Sequence, residues 1–399
     1  MQILDSKKEN AIWPLFRLGF RVFFLGGALV ATLSMLLWIV QLNGHNLLPG
    51  IQNSIWWHAH EMLFGFTLAI IAGFVLTAMQ NWTGIPGVRG WPLAIASTLW
   101  FLPRVLLPFL GEKHWLVIAL DVSWLPLIAI FLARPVIQVK QWRNLFFVPL
   151  MLLFTILNAL SYYAAYTDDW LLAERIFITA VLAITALITV MGGRVIPFFT
   201  SRATNTEKPM PILALEWVCL GSIWLATFAW LLLPRDGSMN MIVAALMILA
   251  AVANIVRILR WKTIPALKVP LLWILHLGYW FIPVGLLVFA SALLEQTTTY
   301  SNASHLLTAG ALGSVVLGMI ARVSLGHSGR PLQPSKWMTV AFAIVLLAGL
   351  IRGLTAVVAP TYVADGYQVS GILWILAYGL FVIFYWPVLT KPRIDGRPG

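Results

Sequence analysis

The chain has 399 residues, of which 60% are apolar and only 10% charged, and it carries a formal net charge of +12. Its mean hydropathy is +0.89. A soluble domain carries about 25% charge, so this composition excludes a soluble globular protein, which would need polar surface, and equally a disordered chain.

The single cysteine, Cys219, lies in an apolar run. Disulfides, thiolate zinc sites and covalent c-type haem attachment through a CxxCH motif are therefore excluded. The positive charge reads as basic loops against an anionic leaflet of the lipid bilayer, and no nucleic-acid partner is expected.

A helix needs about 20 apolar residues to cross the hydrocarbon core. Twelve runs qualify, at about 18–42, 56–80, 90–110, 114–133, 144–166, 172–193, 213–233, 239–260, 270–293, 301–322, 337–359 and 369–390. They are continuously apolar rather than alternating, which predicts helices and not a barrel. The first run follows a mixed segment with Lys7, Lys8 and Arg17, and no small-residue cleavage site follows it, so it reads as an uncleaved span. The loops are short. The expected fold is all-α and polytopic, a single transmembrane domain over 1–399.

Of the 26 Lys and Arg residues, all but Lys113, Arg235, Arg104, Arg175 and Arg352 fall on segments that share a side when both termini are cytoplasmic. A miscount by one span would scramble that bias, so the positive-inside rule supports both the count and the orientation. Lys113 and Arg235 fall in outer loops. Arg104, Arg175 and Arg352 lie in the outer parts of spans, with Pro103 and Pro108 expected to break the helix around Arg104. Each reads either as a functional intramembrane charge or as an arginine snorkelling to the interface.

The histidines sort by side. His45 and His114 fall in outer loops and His327 in an inner loop, and His276 reads as a hydrogen-bonded membrane histidine. His58 and His60 open the second span and His305 opens the tenth, all at outer ends. The start Trp56-Trp57-His58-Ala59-His60-Glu61-Met62 puts two imidazoles and a carboxylate into a membrane helix, which costs several kcal/mol unless they are paired or coordinated. Neutral imidazole is a common ligand for metals, haem iron included. Residues two apart on a helix diverge by about 200°, so His58 and His60 face different neighbours and do not readily chelate one ion.

His58 shares a side with Glu61, Gly65, Ala69 and Gly73, and His305 continues into Ala309 and Gly313. Such small-residue stripes serve close helix packing or clear room for a flat ring. The loop Arg322-Val-Ser-Leu-Gly-His327-Ser-Gly-Arg330 reads as a helix end with basic anchors, or as an anion cradle built from glycines and cations.

Spans two, six and ten share polar outer openings and small residues, which allows three four-helix pseudo-repeats. The layout is similar to that of haem-copper oxidase catalytic subunits, whose haem-ligating histidines sit on spans two and ten. The histidines that their copper site takes from spans six and seven are missing here.

Three segments together resemble the NnrS family of haem- and copper-containing membrane proteins of the nitric oxide response. They are Pro14-Leu-Phe-Arg17-Leu-Gly-Phe-Arg21, His58-Ala-His60-Glu61-Met62 through Asn81-Trp82-Thr83-Gly84, and Arg322 through Gly326-His327-Ser-Gly329-Arg330. The resemblance implies an inner-membrane protein of bacteria that binds haem, of b type, and copper, and meets nitric oxide at an outer-side metal site. It marks His58, His60 and His305 as metal-site candidates and Glu61, His327 and Arg330 as functional residues. Arg104, Arg175 and Arg352 become candidate partners for haem propionates.

It fixes neither a catalytic residue nor an electron donor. Two alternatives stand beside this expectation: a secondary transporter of a small solute, for which twelve spans suffice but mid-membrane acids are scarce, and a redox enzyme resembling nitric oxide reductases or oxidases.

Overall fold

The fold, from a computed structural model that describes residues 11–234, 236–295 and 300–397, is all-helical among those residues. Lys7, Lys8 and Arg235 lie outside them. Among the described residues, twelve helices are long and apolar enough to cross a membrane. They are α1 (Gly19–Leu42), α2 (Ser54–Thr83), α3 (Trp91–Leu110), α4 (Trp115–Gln138), α5 (Phe147–Tyr166), α6 (Trp170–Thr204), α7 (Leu213–Leu232), α8 (Gly237–Leu259), α9 (Pro270–Glu295), α10 (Tyr300–His327), α11 (Lys336–Val358) and α12 (Val363–Thr390).

Two helices outrun their apolar cores. α6 continues to Thr204, and α10 continues to His327, which therefore ends a helix rather than sitting in a loop. Pro103 and Pro108 do not end α3, which runs through both.

The described chain divides into two compact units. Unit one takes the chain up to Phe177, Ile320–Leu332 and the stretch from Tyr378 on; unit two takes Ile178–Met319 and Gln333–Ala377.

In unit one, α1 packs on α2, α2 on α4, and α3, α4 and α5 in series. Contact between α1 and α2 is close because Gly73 has no side chain; a Cβ there would lie 2.8 Å from that of Phe23. Thr77 of α2 also accepts the otherwise orphan amide of Phe20 at the start of α1, at 2.9 Å. In unit two, α7, α8 and α9 pack in series, and α10 lies against α9 and α11. A Cβ on Gly349 would come 2.6 Å from the Cα of Gly310.

α2 and α10 each contain a seven-residue π-helical stretch, Glu61–Thr67 and Leu306–Leu312, immediately after His60 and His305. Wide π turns free backbone groups and recur at functional sites. In α2, the Gly65 carbonyl accepts from Trp100 Nε1 at 2.9 Å, and Thr67 Oγ1 reaches back five residues to the Met62 carbonyl at 2.7 Å.

Unit two buries one further polar knot. Arg257 of α8 donates through Nε to Glu216 at 2.9 Å and through Nη1 to the Thr189 carbonyl at 2.8 Å and the Tyr279 hydroxyl at 3.1 Å. Arg257, counted among the inner-side charges, is thus also an interior ion-pair member. His276 behaves as expected: its ring nitrogens meet the hydroxyls of Thr200 at 2.8 Å and Thr263 at 3.0 Å.

Candidate functional site

The polar start of α2 is built by its neighbours in unit one. Asn53 caps the helix, accepting the Trp56 amide at 2.9 Å. Glu112, fully buried, accepts the amides of Gln52 at 3.1 Å and Asn53 at 3.2 Å and so fixes the approach to the helix. Trp56 anchors its indole nitrogen on the Ser161 carbonyl at 3.0 Å and stacks on His60, with ring centroids 4.6 Å apart.

His60 is fully buried among acceptors. Its Nδ1 lies 3.2 Å from Glu61 Oε1, and its Nε2 lies 3.0 Å from both Asn158 Oδ1 and Asp121 Oδ2. Asn158 points its amide nitrogen at the Asp121 carbonyl, 3.2 Å away, so its oxygen is free to face the ring. An imidazole with acceptors at both nitrogens is satisfied when it donates from both, as imidazolium.

Arg104 donates through Nη2 to Asp121 Oδ1, and its Nε lies 3.1 Å from Glu61 Oε1 at ion-pair distance. Tyr162 completes the knot with a 2.9 Å bond from its hydroxyl to Asp121 Oδ2. Two carboxyl groups therefore face one guanidinium and one imidazole in the interior.

The candidates part company here. Glu61 and Arg104 join His60. His58 is half-buried, with its ring stacked on Trp38 at 4.4 Å and 11° between planes. Arg175, on the first turns of α6 in unit one, is half-buried.

In unit two, His305 Nδ1 faces the Ser301 carbonyl, and its Nε2 receives Arg352 Nη2 at 3.1 Å. Arg352 also stacks on the Tyr367 ring at 3.7 Å and approaches Asn302 Oδ1 at 3.5 Å. In unit one, His327 and Arg330 lie at the opposite end of α1 from His58; the His327 ring is 5.6 Å from Phe20, and its carbonyl accepts from Arg393 at 2.7 Å.

The sequence reading missed Asp121, Asn158 and Tyr162. Asp121 carried a signal, as a lone carboxylate inside the fourth apolar run. Asn158 carried a weaker signal of the same kind, as an amide inside the fifth apolar run, and Tyr162 carried none, because tyrosine is common near span ends.

Comparison with known protein families decides what this arrangement belongs to. Residues 14–393 match the family described as NnrS protein. The chain belongs to the NnrS family. No curated protein matches it. Membership sets this twelve-helix membrane protein in the context of the nitric oxide response.

The NnrS resemblance implies haem and copper, and the described donors fit the two unequally. His60 has both nitrogens committed to acceptors, and His305 presents Nε2 to a guanidinium, whose positive charge opposes a metal cation. Among the described residues, no three His, Cys, Asp or Glu side chains converge as a metal cage. This donor set does not fit copper.

For haem, two features fit. The His58 ring is half-buried against Trp38. Arg104 Nη1 is buried without a hydrogen-bond partner among the described residues, and a Cβ on Gly65 would come 3.4 Å from it. Elsewhere the small residues serve packing: Phe23 fills the space beside Gly73, and a Cβ on Gly313 would overlap the Trp374 ring.

Proposed function

We propose that this NnrS-family chain is a haem-binding protein of the inner membrane of bacteria, acting in defence against nitric oxide, with both termini cytoplasmic and the His58 end outward. His58 is the proposed haem ligand and Arg104 the proposed donor to a propionate. The observation that supports this reading is the orphan Nη1 of Arg104. A buried guanidinium nitrogen without an acceptor is costly, and a carboxylate is its natural complement. Glu61 ties the two residues together, lying one helical turn from His58 and 3.1 Å from Arg104 Nε.

Ferrous haem binds nitric oxide directly. The protein's own contribution is to orient His58 against Trp38 and to hold Arg104 rigid between Glu61 and Asp121. His60 is assigned to this supporting knot and not to a metal. Copper has no place in the proposal.

The test is an optical spectrum of the protein purified after haem-replete expression, before and after nitric oxide is added to the reduced sample. A Soret band that shifts with nitric oxide supports the reading. Protein that is folded and free of haem overturns it.

A further inference from the structure

Two glycines bring α10 and α11 together in unit two. Gly349 packs on Gly310, and a Cβ on Gly353 would overlap Leu306. That contact carries Arg352 of α11 to His305 and Asn302 at the start of α10, beside Tyr367 of α12. All four residues are half-buried, so the cluster is reached from the end of unit two where α10 and α12 begin.

The groups that hold Arg352 are uncharged. Its Nη2 donates to His305 Nε2 at 3.1 Å, and its Nη1 approaches Asn302 Oδ1 at 3.5 Å, the long limit of a hydrogen bond. The Tyr367 ring covers one face of the guanidinium at 3.7 Å, and the Tyr367 hydroxyl donates to the same Asn302 oxygen. His305 accepts from Arg352 while its other nitrogen, Nδ1, donates to the Ser301 carbonyl, so the imidazole is held in its neutral form. Among the described residues no carboxylate pairs with Arg352. Asp365, on the first turn of α12, is exposed and forms no ion pair with it.

The other interior arginines named above are neutralised. Arg104 meets Glu61 and Asp121, and Arg257 meets Glu216. Neutral acceptors satisfy N–H groups without cancelling a charge, and a charge on a membrane helix is stabilised by an opposite one. A guanidinium has five N–H donors, and Arg352 places two of them on acceptors among the described residues. A planar oxyanion takes two N–H groups along one edge of the fork, and the Tyr367 ring, lying on the face, leaves the edges clear. The charge that opposes a metal cation at His305 thus favours an anion.

We propose that Arg352, steadied by His305, Asn302 and Tyr367, binds a small planar oxyanion of the carboxylate or nitrite type, with two oxygens on one centre and a single negative charge. The site uses neither His58 nor Arg104, and its readout needs no haem, so it stands or falls separately from the proposed function.

The experiment follows thermal unfolding of the full chain in neutral detergent during titration with sodium formate, sodium nitrite or sodium chloride at constant ionic strength. Formate and nitrite carry the two-oxygen fork and chloride does not. Wild type is compared with Arg352→Gln and with Lys336→Gln, which removes an exposed cation at the other end of α11. Formate or nitrite raises the midpoint of wild type and of Lys336→Gln above the chloride value, and Arg352→Gln needs roughly tenfold more of the ion for the same rise. A rise with both ions assigns a site that reads the fork alone, and a rise with one assigns that ion's class; both support the site.

A wild type that responds equally to all three ions overturns it, as does an Arg352→Gln response equal to that of wild type or an equal loss in Lys336→Gln. If Arg352→Gln does not fold, Arg352→Lys, which keeps the charge and loses the fork, carries the same comparison. A weakened response supports the site and an unchanged one overturns it.

Discussion

Gly193 of α6 and Arg257 of α8 share one space in unit two: a Cβ on Gly193 would overlap Arg257 Nη2. The guanidinium cannot move aside cheaply, because Glu216, the Thr189 carbonyl and the Tyr279 hydroxyl all hold it. Gly193→Ala is therefore expected to destabilise by about 1–3 kcal/mol or more. Gly221→Ala, at a helical position with nothing within 4 Å, is expected to be neutral or stabilising. Thermal unfolding of both variants in detergent checks the contrast.

Breaking the buried quartet in unit one should cost more than losing an exposed pair. Asp121→Asn removes the charge partner of Arg104 and an acceptor of both His60 and Tyr162. The expected loss is about 3–5 kcal/mol, because the buried guanidinium keeps only Glu61 as a charge partner. Lys113→Gln, which breaks an exposed pair with Asp168, should cost under about 1 kcal/mol. Unfolding midpoints measured side by side provide the check, and equal losses would contradict the quartet's role.

Glu112 is expected to matter through the position of α2 rather than through chemistry. Glu112→Ala strips the acceptor from the amides of Gln52 and Asn53, at a cost of about 1–3 kcal/mol. Hydrogen exchange should rise over residues 50–56 and leave the α8 core unchanged. Unaltered exchange at 50–56 would count against the anchor.

The spans and the polar start of α2 were legible in the sequence because both follow from short-range rules. Apolar runs near the bilayer thickness mark helices, and Trp56-Trp57-His58-Ala59-His60-Glu61 is visibly expensive in lipid. What compensates His60 was not legible, since Asp121 lies 61 positions away and Asn158 lies 98, and only packing brings them to the ring. The pairing of Arg257 was hidden for a related reason: the positive-inside rule counts charges without seeing that Glu216 pairs with one. The π stretches were hidden because nothing in Glu61–Thr67 or Leu306–Leu312 departs from ordinary helical composition.

Acid should loosen the C-terminal tail only at low pH. Hydrogen bonds from Arg393 hold the Asp395 carboxyl below the usual carboxylate range. A depressed folded-state value stabilises above the unfolded value, near about 4, and that contribution is lost as pH falls below it. Limited proteolysis of residues 391–397 should be flat from about pH 8 to pH 5 and accelerate below about pH 4. Asp395→Asn should remove that dependence. Release of the tail near neutral pH would contradict the assignment.

Haem stoichiometry in His58→Ala against His60→Ala tests the proposed function most directly. Loss of the Soret band in folded His58→Ala is predicted, with His60→Ala losing thermal stability first and retaining haem in whatever fraction stays folded. A folded His58→Ala protein that keeps its full haem complement would contradict it.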